Sequence, residues 1–177
     1  MKKKNIRKII FTSLVSALMM VFITLSAFAM PYNPNDYTSI NVVSDLLAPN
    51  VKQSKATEST MTRGDFFARA DLVIKNNGDG TIGALAIAFA RYPIDEAYIT
   101  LYLDQWDATT ERWRQVNYYE AEFYASDYPE GLTTPTVDIS FIDQPRGYYY
   151  RLRGVFGVVY NGAFEAFSPT TDGVLLD

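Results

Sequence analysis

The chain has 177 residues, with 16 Lys and Arg residues against 20 Asp and Glu residues, and it contains neither cysteine nor histidine. Without cysteine there is no disulfide and no thiol nucleophile, and without histidine the usual general base and the commonest zinc ligand are both missing. Serine–histidine and cysteine–histidine hydrolase mechanisms are therefore excluded. We expect no enzymatic activity, no cofactor and no bound metal.

The first 29 residues are typical of a signal peptide. Basic residues crowd the start, an uncharged and mostly apolar run covers residues 9–25, and Ser26-Ala27-Phe28-Ala29 has the small-x-small pattern that signal peptidase cuts. The apolar run is shorter than the 20 or so residues that a spanning helix needs. We predict cleavage before Met30 and a secreted protein. The alternative is a membrane anchor formed by the uncleaved segment.

Cleavage would remove five basic residues and no acidic ones, which changes the balance from 16 basic against 20 acidic residues to 11 against 20. The mature chain then carries about nine net negative charges. Such a surface repels nucleic acid and anionic lipid, so we expect no nucleic-acid partner and no membrane partner after cleavage.

Residues 30–60 are polar and include Pro31, Pro34 and Pro49, with one short apolar stretch at 40–47. This composition predicts a flexible leader before a single domain at 61–177.

From residue 61 onward, short runs rich in Tyr, Phe, Val and Ile alternate with Gly, Pro, Asn and Asp. This spacing is typical of an all-β sandwich of antiparallel strands. Asn161-Gly162 predicts a tight type I′ hairpin, because both residues tolerate positive φ. The seven predicted strands cover 65–75, 81–92, 97–106, 113–125, 136–142, 148–160 and 163–168.

Side-chain parity is inconsistent along the sixth and seventh predicted strands. Arg151 and Arg153 are expected to face outward, yet Glu165 faces outward only if its cross-strand neighbour Val158 does so too. A β-bulge at Gly154 or Gly157 would shift the register and remove this conflict.

Seven consecutive strands, with a Pro/Gly corner before a Tyr-rich sixth strand and a tight final hairpin, resemble the fibronectin type III or immunoglobulin-like sandwich. The chain lacks the core disulfide and has no tryptophan in its first two predicted strands. The resemblance therefore supports the fold class alone.

Four short motifs resemble those of a family of small exported Gram-positive bacterial proteins catalogued as a domain of unknown function. They are Met61-Thr62-Arg63-Gly64, Gly78-Asp79-Gly80-Thr81-Ile82-Gly83, Gly147-Tyr148-Tyr149-Tyr150-Arg151-Leu152-Arg153-Gly154 and Thr171-Asp172-Gly173. The resemblance spans residues 61–173 and implies no catalytic residue.

One outward sheet face is the candidate binding surface, because tyrosine and arginine are enriched where proteins meet partners. Its members are Tyr98, Tyr102, Trp106, Tyr118, Tyr124, Tyr149, Arg151 and Arg153. An extracellular protein is the first expected partner, and a glycan of the cell envelope or a host is the alternative. Ordinary cross-strand pairing explains the same residues without any partner.

Two acidic motifs resemble a catalytic pair and a calcium site, but each has a simpler structural explanation. Glu120 and Glu122 share one strand face and could form the carboxylate pair of a glycosidase, but exposed alternation on a strand is the commoner cause. The 76–80 segment resembles a calcium loop, yet Lys75 and Ala86 occupy ligand positions and cannot coordinate the ion. A hairpin turn is the expected structure there.

Overall fold

The computed structural model describes residues 30–59 and 66–177. The chain divides into two compact units, residues 1–32 and 33–177. Every strand and helix that is described belongs to the second unit. The predicted signal peptide lies outside the described residues.

The second unit is almost entirely β-structure, as its composition predicts. Two single-turn 3₁₀ helices, Pro34–Asp36 and Ala125–Asp127, accompany the strands, and the described residues contain neither an α-helix nor a helix able to span a bilayer. The nine strands are β1 (Gln53–Ser59), β2 (Phe67–Gly78), β3 (Thr81–Ala90), β4 (Glu96–Asp107), β5 (Arg112–Tyr124), β6 (Thr136–Phe141), β7 (Tyr148–Tyr160), β8 (Ala163–Phe167) and β9 (Val174–Leu176).

These strands form two antiparallel sheets that pack as a β-sandwich-like fold. Sheet one has the order β1-β2-β3-β6, and sheet two has the order β5-β4-β7-β8, with β9 pairing the far end of β7 beyond β8. Strands β1, β8 and β9 therefore lie on one side of the sandwich, whereas β5 and β6 lie on the other.

The core lies between the sheets and is built from alternate residues of the central strands. Leu72 of β2 and Phe156 of β7 are fully buried there, each contributing about 1.5–3 kcal/mol by leaving water. Gly154 faces the same space, where an added Cβ would lie 2.6 Å from Cε2 of Phe156 and 3.2 Å from Cδ2 of Leu72. A side chain at this position would therefore collide with the packed core.

The prediction of seven strands is wrong, since residues 30–59 and 66–177 form nine. The seven predicted strands are present as β2–β8, with ends shifted by a few residues. The segment read as leader contributes β1, a polar strand whose Ser54 and Ala56 face inward at the sheet edge. β9 is three residues long and too short for any periodicity to show.

The predicted Asn161-Gly162 hairpin is confirmed, with φ of 50° and 75° at the two residues. The predicted bulge at Gly154 or Gly157 is wrong, because β7 pairs with β4 and β8 in unbroken register. Instead, Glu165 faces inward beside Val158, and its Oε2 accepts a hydrogen bond of 2.8 Å from the Phe67 main-chain N–H. Glu165 can therefore face inward without a bulge, because its carboxylate accepts the hydrogen bond of a main-chain N–H group.

Candidate functional site

The structure brings all eight predicted face residues to the outer surface of sheet two. The β4–β5 and β4–β7 registers place Tyr102 between Tyr118 and Arg153, and Tyr98 T-stacks on Tyr124 with ring centroids 6.3 Å apart. Trp106 lies at the end of the same face and Tyr149 on β7.

This surface is not an open platform, because half of its predicted members are buried. Exposed fractions are 2% for Tyr98, 5% for Tyr102, 0% for Arg151 and 3% for Arg153, whereas Tyr118 is 60% exposed. The cover is formed by residues 33–47, which we call the strap. This segment was predicted as part of a flexible leader, and the structure places it against sheet two.

Arg151 anchors the strap to the sheet. Its Nη1 donates to the Val42 carbonyl oxygen at 2.6 Å and to Ser44 Oγ at 2.8 Å, and its Nη2 donates to the Ile40 carbonyl oxygen at 2.7 Å. A planar guanidinium can satisfy several acceptors at once in a fixed geometry. The Arg151 side chain therefore fixes the main chain of two strap residues and the side chain of a third.

Asp104 supplies the charge that allows two arginines to be buried. Its Oδ2 accepts from Arg151 Nε at 3.0 Å and from Arg153 Nε at 2.7 Å, while its Oδ1 accepts from Arg153 Nη2 at 3.1 Å. Burial lowers the pKa of Arg151, and the neighbouring Asp104 opposes that shift. Two aromatic rings complete the enclosure. The guanidinium carbon of Arg151 lies 4.5 Å from the Trp113 ring centroid, and that of Arg153 lies 4.7 Å from the Tyr102 ring centroid.

Further contacts hold both ends of the strap. Tyr102 donates to Asn35 Oδ1 at 3.2 Å, and the Tyr37 ring packs edge-on against Phe164 of β8 at 5.8 Å. At the other end, Leu47 N–H donates to the Gly173 carbonyl oxygen at 2.9 Å. The strap is thus fixed along its length.

The strap exposes four apolar side chains among its polar ones. Val43 is 91% exposed and Val42 is 38% exposed, while Tyr37 and Leu46 are each 41% exposed. The main chain at 40–44 faces the sheet and these side chains face solvent. An ordered ridge with exposed apolar side chains, flanked by Asp36 and Asp45, therefore lies on the surface of an acidic protein.

A cleft of about 250 Å³ lies beside this ridge. Its walls are strap residues 40–44, the turn residues Glu111 and Arg112, and the tryptophans Trp106 and Trp113, whose rings meet edge-on at 5.2 Å. We call it the tryptophan cleft. Within the described part of the chain, no hydrogen bond or ion pair engages the Arg112 side chain, which is free to meet a ligand.

The turn that carries the tryptophan cleft is preformed. Asp107 Oδ1 accepts from the Thr109 and Thr110 main-chain N–H groups at 3.0 and 3.4 Å, and Glu111 takes a φ of 50°. The main-chain hydrogen bond from Thr109 is the largest contribution that lowers the pKa of Asp107. The carboxylate that shapes the turn thus stays ionised.

Sequence reasoning missed Trp113, Asp104 and the strap valines. One signal could have found Trp113: Trp106 and Trp113 flank a short polar segment at the predicted third connection, so a hairpin there pairs them across the strands. Nothing in the sequence indicates that residues 40–44 meet Arg151, because the two segments lie more than 100 positions apart.

The acidic pair on β5 is exposed, and Glu122 accepts a hydrogen bond of 2.5 Å from the Tyr124 hydroxyl. Residues 30–59 and 66–177 contain no group of three or more His, Cys, Asp or Glu side chains placed to hold a metal ion.

No protein-family model matches the chain, and no curated protein matches it. The resemblance to an exported Gram-positive family therefore stays a prediction.

Proposed function

We propose that the protein is an exported, non-enzymatic interaction module that binds a protein partner through the strap ridge and the tryptophan cleft. One observation carries the proposal: a fully buried arginine fixes the strap main chain while Val42 and Val43 face solvent. Burial of a guanidinium is costly unless every donor is satisfied. A loop held this firmly with apolar side chains outward suits recognition, since binding residues often lie on loops fixed by a rigid scaffold.

A negative charge introduced at the ridge tests this proposal. The exported protein, immobilised as bait, should capture a partner from envelope or host-surface protein, and Val43→Glu should abolish capture. Ile142→Glu is the matched control, because Ile142 is 63% exposed and lies outside the strap, in the β6–β7 connection. Loss of capture in both variants, or in neither, would contradict a role for the ridge.

A carbohydrate-binding module is the second candidate, and the tryptophan cleft favours it. Indole faces stack on sugar rings, and the free Arg112 beside Glu111 could bind hydroxyl or carboxylate groups of a sugar. A glycan array should then show ligands whose binding falls in Arg112→Ala and persists in Leu46→Glu, because Leu46 is an exposed strap residue that does not line the cleft. The opposite pattern favours the protein partner.

The absence of enzymatic activity is part of the proposal, with a carboxylate-pair glycosidase as the least favoured alternative. Turnover of a polysaccharide that disappears in both Glu120→Gln and Glu122→Gln would establish that alternative instead.

The relation to fibronectin type III or immunoglobulin-like sandwiches is proposed from the strand order of both sheets. The order β5-β4-β7-β8 of sheet two is similar to the C′-C-F-G order of variable-type domains. In sheet one, β2-β3-β6 is similar to the A-B-E order, and β1 is an additional strand at its edge.

A further inference from the structure

The side of the sandwich formed by β5 and β6 has two strand edges without a neighbour in the described structure. For β6, the direction of the free groups follows from its pairing with β3: the carbonyl oxygens of Thr133 and Pro135 accept from Ala90 and Ala88. Main-chain groups alternate in direction along an antiparallel strand. The odd-numbered residues of β6 therefore face β3, and the N–H and C=O groups of Asp138 and Ser140 face the free edge.

The interior of the sandwich is open along this side. A groove of about 440 Å³ runs between the two edge strands. Tyr119 of β5 is 40% exposed in it, and Phe123 and Ile139 pack against the core while remaining half-buried. These inward-facing side chains lack the cover that an additional strand would give.

The groove is acidic at its rim. Glu122 and Asp138 are the charged residues among its described lining, and no lysine or arginine lies there. A segment that fills this groove should therefore carry basic side chains beside apolar ones.

The two edges differ in how open they are to another strand. β5 is interrupted by a register shift between Leu103 and Asp104 of its partner, which leaves Val116 unpaired, and the Tyr118 N–H is bonded to Asn117 Oδ1. Bulges and charged side chains of this kind protect edges from adventitious pairing. β6 has no proline, lysine or bulge, and Asp138 is its only charge.

We propose that β6 accepts an extended segment of a partner protein as a fifth strand of sheet one. Its alternate apolar side chains enter the groove against Tyr119, Phe123 and Ile139, and its intervening lysine or arginine side chains lie beside Asp138. Main-chain hydrogen bonds to an exposed edge supply affinity in such strand addition, and the side-chain alternation supplies specificity. This surface is separate from the strap and independent of the function proposed for it.

A pair of labelled peptides tests the proposal by fluorescence anisotropy with the exported protein. The probe is Lys-Val-Lys-Val-Lys-Val-Lys, and its counterpart has every lysine replaced by glutamate. We expect binding of the basic peptide that weakens with added salt, and at least tenfold weaker binding of the acidic one.

Ser140→Pro supplies the decisive variant, because it removes an N–H that faces the free edge and that the fold does not use. It should weaken the basic peptide at least tenfold, whereas the matched Ser140→Ala should bind as the wild type does. Asp138→Lys, which keeps every main-chain group, should reverse the preference between the two peptides. Equal binding of both peptides, no binding of either, or a preference that survives Asp138→Lys would overturn the proposal.

Discussion

The two sides of this sandwich differ in how the two sheets are joined. On the closed side, where β1 meets β8 and β9, six side-chain hydrogen bonds join β1, β2 and Lys52 to the C-terminal segment from Glu165 to Asp177. They link Glu58 to Ser168, Ser54 to Asp172, Glu165 to Phe67, Asn76 to both Leu175 and Asp177, and Lys52 to Asp177. On the open side, none joins β5 to β6 among the described residues.

The difference shows how a domain without disulfides fixes its surface. The strap crosses from the outer face of sheet two into β1, and its end pairs with Gly173 on the closed side. Polar contacts are concentrated where this segment must be held, because main-chain groups there lack strand partners. The open side keeps apolar side chains at the surface. It is therefore suited to accept a strand from outside.

The largest expected effect lies under the strap, at Asp104. Asp104→Ala leaves two buried guanidinium groups without their counter-charge, and the free energy of unfolding should fall by about 3–5 kcal/mol in urea titrations. Arg146→Ala is the control, since its ion pair with Asp79 joins two exposed side chains. That variant should lose about 1 kcal/mol at most from the ion pair. Similar losses in the two variants would show that the buried cluster does not hold the strap.

A smaller loss of stability is expected when the inward-facing carboxylate of Glu165, on the closed side, is removed. Glu165→Ala leaves the Phe67 N–H without an acceptor, which should cost about 1–3 kcal/mol of unfolding free energy. Glu122→Ala on the open side removes an exposed carboxylate and should change stability by less than about 0.5 kcal/mol. Calorimetry that ranks Glu122→Ala as the more damaging change would reverse the comparison of the two sides.

Alkaline pH should destabilise the outer face of sheet two. Burial, together with the hydrogen bond to Glu96, raises the pKa of Tyr98 above its ordinary value of 10.0. A raised folded pKa gives stability that is complete below pH 10 and is lost as pH rises above it, by at most about 1.4 kcal/mol per pH unit for one group. Tyr98→Phe should flatten this decline in unfolding experiments between pH 9 and 11. An identical pH profile for both proteins would be inconsistent with a buried, neutral phenol.

The smallest effect is expected at the groove of the open side. Tyr119→Ser removes a side chain that is 40% exposed and has little packing to lose, so stability should change by less than about 1 kcal/mol. A loss as large as that of Asp104→Ala, seen in the same urea titration, would mean that the groove is part of the core.

The strands that sequence reasoning recovers are those with a hydrophobic period. β4 alternates apolar inward residues with outward tyrosine and polar residues from Ala97 to Asp104, and β7 does so from Tyr150 to Arg153. The Asn161-Gly162 turn has a residue preference strong enough to fix the hairpin. The sequence pattern does not predict β1, because an edge strand of polar residues has the composition of a linker. Its inward positions, Ser54 and Ala56, are small because they pack near the sheet edge rather than in the centre.

The predicted face residues share one surface of sheet two, but the burial of half of them could not be read from the sequence, for a physical reason. A charged residue that alternates with core residues normally faces water, and that rule places Arg151 and Arg153 outward, where the structure has them. Local periodicity carries no information about the strap, which covers these arginines from more than 100 residues away. Burial of an arginine pair requires Asp104 and distant carbonyl oxygens, and no sequence window contains both.

Hydrogen exchange in the strap tests most directly whether Arg151 holds this segment as a fixed surface. The amides of Asp45 and Leu47, which donate to Asp172 Oδ1 and to the Gly173 carbonyl oxygen, should exchange slowly in the wild-type protein. Arg151→Lys keeps the charge but cannot reach the same set of acceptors, and it should accelerate exchange of both amides at least tenfold while leaving β5 unchanged. Strap amides that exchange in the wild type as fast as those of an unstructured peptide, or at the same rate in both proteins, would contradict the account.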